Sequence, residues 1–226
     1  MLFMRCLICL VSSLLKSLIA IASVCLLGAS SCPAEKQEFE TLHPWWSELD
    51  EPEDELPEDK CVVTKLRLHK LRFHVTDHQQ ALHANDAALK SKGNIVQADI
   101  RAINWVLTPH FYGSVTPEKF PQTMDRGMKY RFDSDDKEAG IPLPFLAEWL
   151  AVDPIEGYTE AIILIISKGI EGKLGVSEPL RKALEGKKEK GEIQDYKILN
   201  TRDAVVQHNR YVKEGKKVFT FIHTAG

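Results

Sequence analysis

The feature that most constrains the fold of this chain is an unbroken apolar run from Ala161 to Ile166, most of it β-branched. Polar residues precede the run, and Gly169 follows it closely. An apolar run this short is typical of a strand that is buried on both faces, and such strands lie in sheets that helices cover on each side. We therefore expect this strand at the centre of an α/β domain.

Helix and strand patterns alternate after this run, which predicts parallel pairing and right-handed crossovers. The predicted fold class is α/β, a mixed or mostly parallel sheet with flanking helices and a C-terminal β-α-β-α-β rhythm. The later elements, in chain order, are a helix from Ser177 to Gly186, a strand over 196–199, a helix capped by Asn200 or Thr201 and ended by Gly215, and a strand over 218–222.

The first half of the domain is predicted from hydrophobic periodicity, capping and proline positions. Thr76 with Gln79 three residues later is a capping box, which favours a helix start. The expected elements are a strand over 62–75 with a slip near His69–Lys70, a helix from Thr76 to about Ser91, a helix over 95–107 ended by Pro109, a loop over 109–127, a short strand over 128–132, and a helix from Pro144 to Asp153.

The first 31 residues have the pattern of an export signal. Arg5 and Lys16 precede an apolar stretch over 18–27, and small residues then lead to Cys32. The segment LLGASSC resembles a bacterial lipobox, which implies cleavage before Cys32 and its acylation. Two alternatives stay open, namely an uncleaved N-terminal transmembrane anchor and ordinary cleavage that releases a soluble periplasmic protein.

Residues 32–60 are predicted to be an acidic, proline-containing tether, and 61–226 a single globular domain. Residues 33–60 hold eleven Asp and Glu against two Lys, a net charge of −9, whereas 61–226 hold 25 Lys and Arg against 21 Asp and Glu, a net charge of +4. Such an acidic segment does not bury apolar surface and stays extended, although it could lie transiently against its own domain. Trp45 and Trp46 could alternatively form a docking segment for a basic partner.

Composition excludes several classes of protein. A sequence pI near 6.3 and a small domain charge argue against nucleic-acid binding. Once the leader is removed, Cys32 and Cys61 are the remaining cysteines. Lipid on Cys32 would leave Cys61 alone, and a Cys32–Cys61 bridge is the alternative, so a disulfide scaffold is excluded.

Histidines form the densest polar group in the sequence. His74, His78 and His83, with His69 nearby, are candidate metal ligands because imidazole is a common ligand of transition metals. Their spacing matches no zinc motif, and the alternative is a surface that happens to carry histidines. The acids of 133–136 lack the glycine and distant glutamate of a calcium loop and are expected to be a solvated turn.

A glycine-rich loop after the buried strand is the second candidate site. Gly169, Gly172, Lys173 and Gly175 precede a helix, and ligands of α/β folds bind at the carboxyl ends of strands. The loop lacks both nucleotide-binding signatures, so a connection that needs positive φ angles is the alternative.

Catalytic residues are not predicted. The sequence contains no G-x-S-x-G nucleophile elbow, and nothing in it fixes a geometry between Cys61 and a histidine. We likewise expect no cofactor.

One stretch resembles a known family. Residues 148–169, a helix ending in Asp153-Pro154 followed by EGYTEAIILIISKG, are similar to a stretch in periplasmic lipase-adaptor proteins of bacterial type VI secretion systems. The resemblance covers about a tenth of the chain and implies an accessory role in secretion, and no residue role is carried over from it.

The sequence therefore predicts a bacterial cell-envelope protein facing the periplasm, attached to the membrane by an N-terminal lipid or anchor. Its expected role is that of a non-enzymatic protein-binding factor of adaptor or immunity type, with an envelope protein as its partner. The alternative is an envelope enzyme or small-ligand or metal binder that uses the Gly169–Gly175 loop or the His69–His83 cluster.

Overall fold

A computed structural model describes residues 46–47, 57–83, 89–98, 103–126, 128 and 137–226, all of which lie in one compact unit, Trp45–Gly226. The predicted leader, Cys32 and the acids of 133–136 lie outside the described residues. Within the described part of the chain, no helix combines the length and apolar character that crossing a membrane requires.

Two sheets and four helices make up the described structure. Sheet A is antiparallel throughout, in the order β1-β2-β3-β6-β5, and sheet B is mixed, in the order β10-β9-β11-β7-β8-β4. The strands of sheet A are β1 (Trp46–Ser47), β2 (Val62–Arg67), β3 (Lys70–His74), β5 (Leu89–Lys92) and β6 (Ile95–Ala98). Those of sheet B are β4 (Gln80–Ala81), β7 (Asn104–Leu107), β8 (Phe111–Ser114), β9 (Ile163–Ser167), β10 (Asp195–Leu199) and β11 (Val218–His223).

The helices are α1 (Pro121–Arg126), α2 (Pro144–Val152), α3 (Glu178–Glu189) and α4 (Thr201–Lys213), with a short 3-10 helix at Ile155–Gly157. Ser177 caps α3 by accepting a hydrogen bond from the N–H of Leu180, and Asn200 caps α4 by accepting one from Asp203. The carboxylate of Glu148 in α2 accepts hydrogen bonds from the N–H groups of Gln122 and Thr123, which satisfies the start of α1.

The predicted α/β class and C-terminal rhythm are confirmed. Strand β9 pairs in parallel with β10 on one side and with β11 on the other, and α3 and α4 connect these strands. Every residue of β9 is buried, as the apolar run predicts. Helix α3 continues through Gly186 to Glu189, so the predicted end at Gly186 is wrong, and Gly191 with φ +71° follows the helix instead.

Side chains of sheet B alternate between two apolar cores. Leu164 and Ile166 point to the side where Phe145 and Trp149 of α2 pack, whereas Ile163 and Ile165 contact α4. A third cluster joins sheet A to sheet B, with Phe73 from sheet A packed near Trp105 of β7. Sheet B is thus a central layer, which explains why its strands are apolar on both faces.

The structure corrects four element predictions in the first half of the domain. The strand expected over 62–75 is a hairpin, because His69 takes a left-handed conformation, φ +56°, between β2 and β3. The helix expected after Thr76 is wrong, since β4 and β5 occupy its described residues. The helix expected over 95–107 is also wrong, because β6 and β7 lie there.

These two helix predictions failed for separate reasons. Half of the capping box exists, since the side-chain Oε1 of Gln79 accepts the N–H of Thr76, but β4 then pairs with β8 in place of a helical turn. In β6, Val96 and Ala98 are buried while Gln97 is exposed, which is the two-residue period of a strand. Tertiary pairing therefore outweighed the local helical signal. The loop expected over 109–127 contains β8 and α1.

Candidate functional site

The predicted glycine-rich loop connects β9 to α3, and its glycines have structural roles. Gly169 and Gly172 adopt φ angles of +95° and +72°, which other residues rarely adopt. The carbonyl of Ala225 accepts the N–H of Ile170 at 2.8 Å, so the loop packs on the last residues of the chain. A Cβ at Gly169 would lie 2.8 Å from that same carbonyl oxygen.

Lys173 and Gly175 also have partners within the protein. Lys173 forms an ion pair with Glu171, and the carbonyl of Gly175 accepts the N–H of Ile141 at 2.9 Å. Backbone conformation or packing thus explains why most of these residues occupy their positions in the loop. Ligand binding by Gly169, Gly172, Lys173 and Gly175 stays a prediction.

The three candidate metal-binding histidines lie in three different environments. His74, at the end of β3, is buried, and its Nδ1 lies 3.2 Å from the carbonyl oxygen of Lys60. His83 Nε2 lies 3.1 Å from Thr116 Oγ1, and the exposed His78 lies on the wall of a cleft. Among the residues that the structure describes, no three His, Cys, Asp or Glu side chains are grouped so that they could hold a metal ion. The structure therefore does not bring His74, His78 and His83 together as a ligand set.

A buried polar cluster at the ends of β9 and β11 was missed by the sequence analysis. Ser167 Oγ accepts the N–H of His223 at 2.6 Å, and His223 Nδ1 lies 2.5 Å from Asn104 Oδ1. Burial lowers the pKa of His223 to about 4, with a further lowering by the nearby His69. The imidazole is therefore neutral at pH 7, and the fully buried Ser167 holds strand ends together in place of acting as a nucleophile.

Cys61 is a buried free thiol, and His208 contacts its backbone carbonyl. His208 Nε2 lies 3.0 Å from the Cys61 carbonyl oxygen, and His208 Nδ1 lies 2.7 Å from Thr220 Oγ1. Burial raises the pKa of Cys61 to about 12 and lowers the pKa of His208 to about 4. At neutral pH both groups are uncharged, so this pair lacks the thiolate that a nucleophilic dyad needs.

The outer face of sheet A is basic. Its inner face is apolar, with Leu66, Leu71 and Phe73 in the buried core. Because successive side chains of a strand alternate between faces, the intervening residues lie outside. We call the outward cations the basic face, and they are Lys65, Arg67, Lys70, Arg72, Lys90 and Lys92. The described strands β2, β3, β5 and β6 contain no acidic residue.

Strand register places like charges directly opposite each other on this face. Lys65 lies opposite Arg72, and Arg67 lies opposite Lys70. Directly opposed side chains of an antiparallel pair are about 5 Å apart at Cβ, and like charges there destabilise the sheet. Lys65, Arg67 and Arg72 are half-buried and each interacts within the protein, whereas Lys70, with the similarly placed Lys90 and Lys92, is exposed. The exposed cations of this face are complementary in charge to an acidic surface.

The chain matches no protein-family model, and no curated protein matches it.

Proposed function

We propose that this chain is an exported, membrane-attached protein-binding factor of the bacterial cell envelope, of adaptor or immunity type, and that its basic face docks an acidic protein surface. The observation that carries the proposal is the set of outward cations on three strands, β2, β3 and β5, of the antiparallel sheet A. An acidic partner would complement the exposed cations Lys70, Lys90 and Lys92. Complementary charge speeds association and selects the partner.

A protein partner fits this face better than a nucleic acid does. Sheets that bind nucleic acids stack bases on exposed aromatic side chains. On β2, β3, β5 and β6, the exposed side chains that the structure describes on this face are Lys70, Lys90, Lys92 and Gln97, and none of these is aromatic. Lysines on the edge strand β5 also discourage strand pairing between copies of the chain. The test therefore measures binding of a different protein and not self-association.

The test is crosslinking in intact cells with a C-terminal tag, followed by solubilisation of the envelope and identification of the crosslinked protein. The variant Lys70→Glu/Lys90→Glu/Lys92→Glu reverses the exposed half of the face. The control Lys119→Glu/Lys190→Glu/Arg202→Glu reverses three exposed cations elsewhere on the domain. We expect the first variant to lower partner recovery by about tenfold or more and the control to retain it. Equal recovery from both variants would refute the docking surface.

Membrane attachment has its own test. If Cys32 is acylated, the wild-type protein partitions into the detergent phase and Cys32→Ala leaves it. A wild-type protein that is never found in that phase would exclude the lipid anchor while leaving the docking surface intact.

A further inference from the structure

A polar cleft lies apart from the basic face. It has a volume of about 360 Å³ and is bounded by the start of β2, the turn after β3, the β7–β8 turn and the segment between α4 and β11. This volume falls within the range of small-molecule sites, about 300–1,000 Å³. Its lining includes Lys60, Cys61, Gln79, His110, Lys216 and Lys217.

At the end of helix α4 beside this cleft, one ammonium group and two backbone N–H groups satisfy the last carbonyl oxygens. The carbonyl of Lys213 accepts a hydrogen bond from Lys60 Nζ at 2.8 Å. The carbonyls of Tyr211 and Val212 accept the N–H groups of Lys216 and Gly215 at 2.9 and 3.0 Å. Because the chain supplies donors to these carbonyls, the negative end of the helix dipole is compensated.

Cations outnumber acids on the walls of the cleft. Lys60, Lys216 and Lys217 line it together with one acid, Asp59. Lys216 also lies 2.9 Å from Glu214, but that pair is solvent-exposed and binds its lysine weakly. The floor is uncharged, since Cys61 and His208 are both neutral at pH 7. The cleft therefore attracts an anion to its rim.

The opposite wall holds a histidine in a fixed tautomer. His110 Nδ1 lies 3.1 Å from Asp153 Oδ1 and 2.9 Å from the phenol oxygen of Tyr158, and that phenol donates its proton to Asp153 Oδ2 at 2.5 Å. With two acceptors beside it, Nδ1 carries the ring proton, and Nε2 is left as the acceptor. Asp153 is 3% exposed and the His110 side chain is 55% exposed, so a buried carboxylate orients an accessible imidazole.

We propose that this cleft binds a small organic anion, with its carboxylate or phosphate on Lys216 and Lys217 and a hydroxyl group donating to His110 Nε2. Gln79 stiffens the wall between them, since its amide donates to the Thr108 carbonyl at 2.7 Å and accepts the N–H of Thr76 at 3.1 Å. Asp153 and Tyr158 act as positioning residues for His110. The cleft is independent of the basic face, so the two proposals stand or fall separately.

The test is calorimetric titration of the full chain with inorganic phosphate in one arm and citrate in the other. The variant Lys216→Gln/Lys217→Gln removes two cleft cations. The matched control Lys182→Gln/Lys190→Gln removes two exposed lysines, one in α3 and one directly after it. We expect saturable binding of at least one anion, weakened by about tenfold or more in the cleft variant and retained in the control. The arm that binds more tightly identifies the anionic group.

Two results would overturn the proposal. One is the absence of saturable binding of both anions up to about 10 mM. The other is equal binding by the cleft variant and the control. A separate readout tests the positioning residues: nitrogen NMR of His110 should show the Nδ1–H tautomer in the wild type and a rise of the Nε2–H tautomer in Asp153→Asn. An unchanged tautomer would refute that role.

Discussion

The side-chain amide of Asn209 forms two hydrogen bonds with the backbone of Val63, a residue 146 positions earlier in the chain. Its Oδ1 accepts the Val63 N–H at 2.8 Å, and its Nδ2 donates to the Val63 carbonyl at 2.7 Å. Among the residues that the structure describes, strand β1 pairs with β2 at Leu66 and Arg67. Asn209 therefore takes the place of a neighbouring strand at Val63 and joins α4 to sheet A.

The first prediction concerns this junction. In Asn209→Asp the carboxylate cannot donate to the Val63 carbonyl, and a buried acceptor is left unsatisfied. We expect the free energy of unfolding to fall by about 2–4 kcal/mol, measured by urea unfolding of the full chain. Val206→Ala on the same helix, at a 49% exposed side chain, is the control and should change stability little. A loss of the same size in both variants would mean that the Asn209 amide has no special role.

The C-terminal half of the fold could be predicted from the sequence because hydrophobic pattern and helix-capping residues indicate the same elements there. The β9 run is apolar throughout, and Ser177 and Asn200 provide helix starts that the structure uses. In 95–107 the apolar residues fit a helical face equally well, and only pairing with distant strands decides the outcome. Leu71 of β3 lies opposite Ala98, and Trp105 of β7 lies opposite Ser114, contacts that a local pattern cannot show.

The candidate sites were less predictable for the same reason. The sequence grouped His74, His78 and His83 because they are close in the chain, yet a strand and a turn send them to different partners. The pair that does meet, His110 and Asp153, is separated by 43 positions and carries no motif. The positive-φ alternative for the glycine-rich loop could be argued from the glycines alone, and the φ angles of Gly169 and Gly172 agree with it.

The second prediction concerns pH. Unfolded histidine has a pKa near 6.5, whereas burial lowers the pKa of His208 and that of His223 to about 4. Between pH 6.5 and pH 4, both histidines bind a proton more readily in the unfolded chain than in the folded chain. The free energy of unfolding is therefore highest above about pH 6.5. It falls as the pH drops toward 4, by up to about 3 kcal/mol for each histidine. Urea unfolding at pH 7.5 and at pH values down to about 4.5 measures the loss.

His208→Gln separates the two histidines. Glutamine keeps a donor for the Cys61 carbonyl and an acceptor for Thr220 but does not titrate, so the acid-dependent loss should fall by about half. Thr220→Val is the control, because it removes the hydrogen bond to His208 Nδ1 and keeps the ring. An acid dependence in His208→Gln equal to that of the wild type would contradict the assignment.

The third prediction separates the two glycines of the predicted ligand loop. Gly172→Ala places a side chain at φ +72° with open space around it, which should cost about 1 kcal/mol of stability. Gly169→Ala adds a Cβ that would lie 2.8 Å from the Ala225 carbonyl oxygen and 3.1 Å from the His223 ring, so we expect a loss of about 3 kcal/mol or more. Thermal unfolding of both variants checks this order. Equal losses would show that the close approach to Ala225 is not maintained in solution.

The fourth prediction is that Cys61 is chemically inert in the folded protein. With its pKa raised from 9.0 to about 12 by burial, the thiol holds about a thousandfold fewer thiolates at a given pH below 9 than a cysteine with the ordinary pKa. Alkylation at pH 8, followed by mass spectrometric mapping of the Cys61 peptide, should show slow labelling in buffer and rapid labelling in urea. Gln79→Ala is the informative variant. Gln79 donates a hydrogen bond that lowers the pKa of the thiol, so the loss of that bond should raise the pKa further and should not speed the labelling. Rapid labelling of the folded wild type would contradict this prediction and would indicate a stabilised thiolate at Cys61.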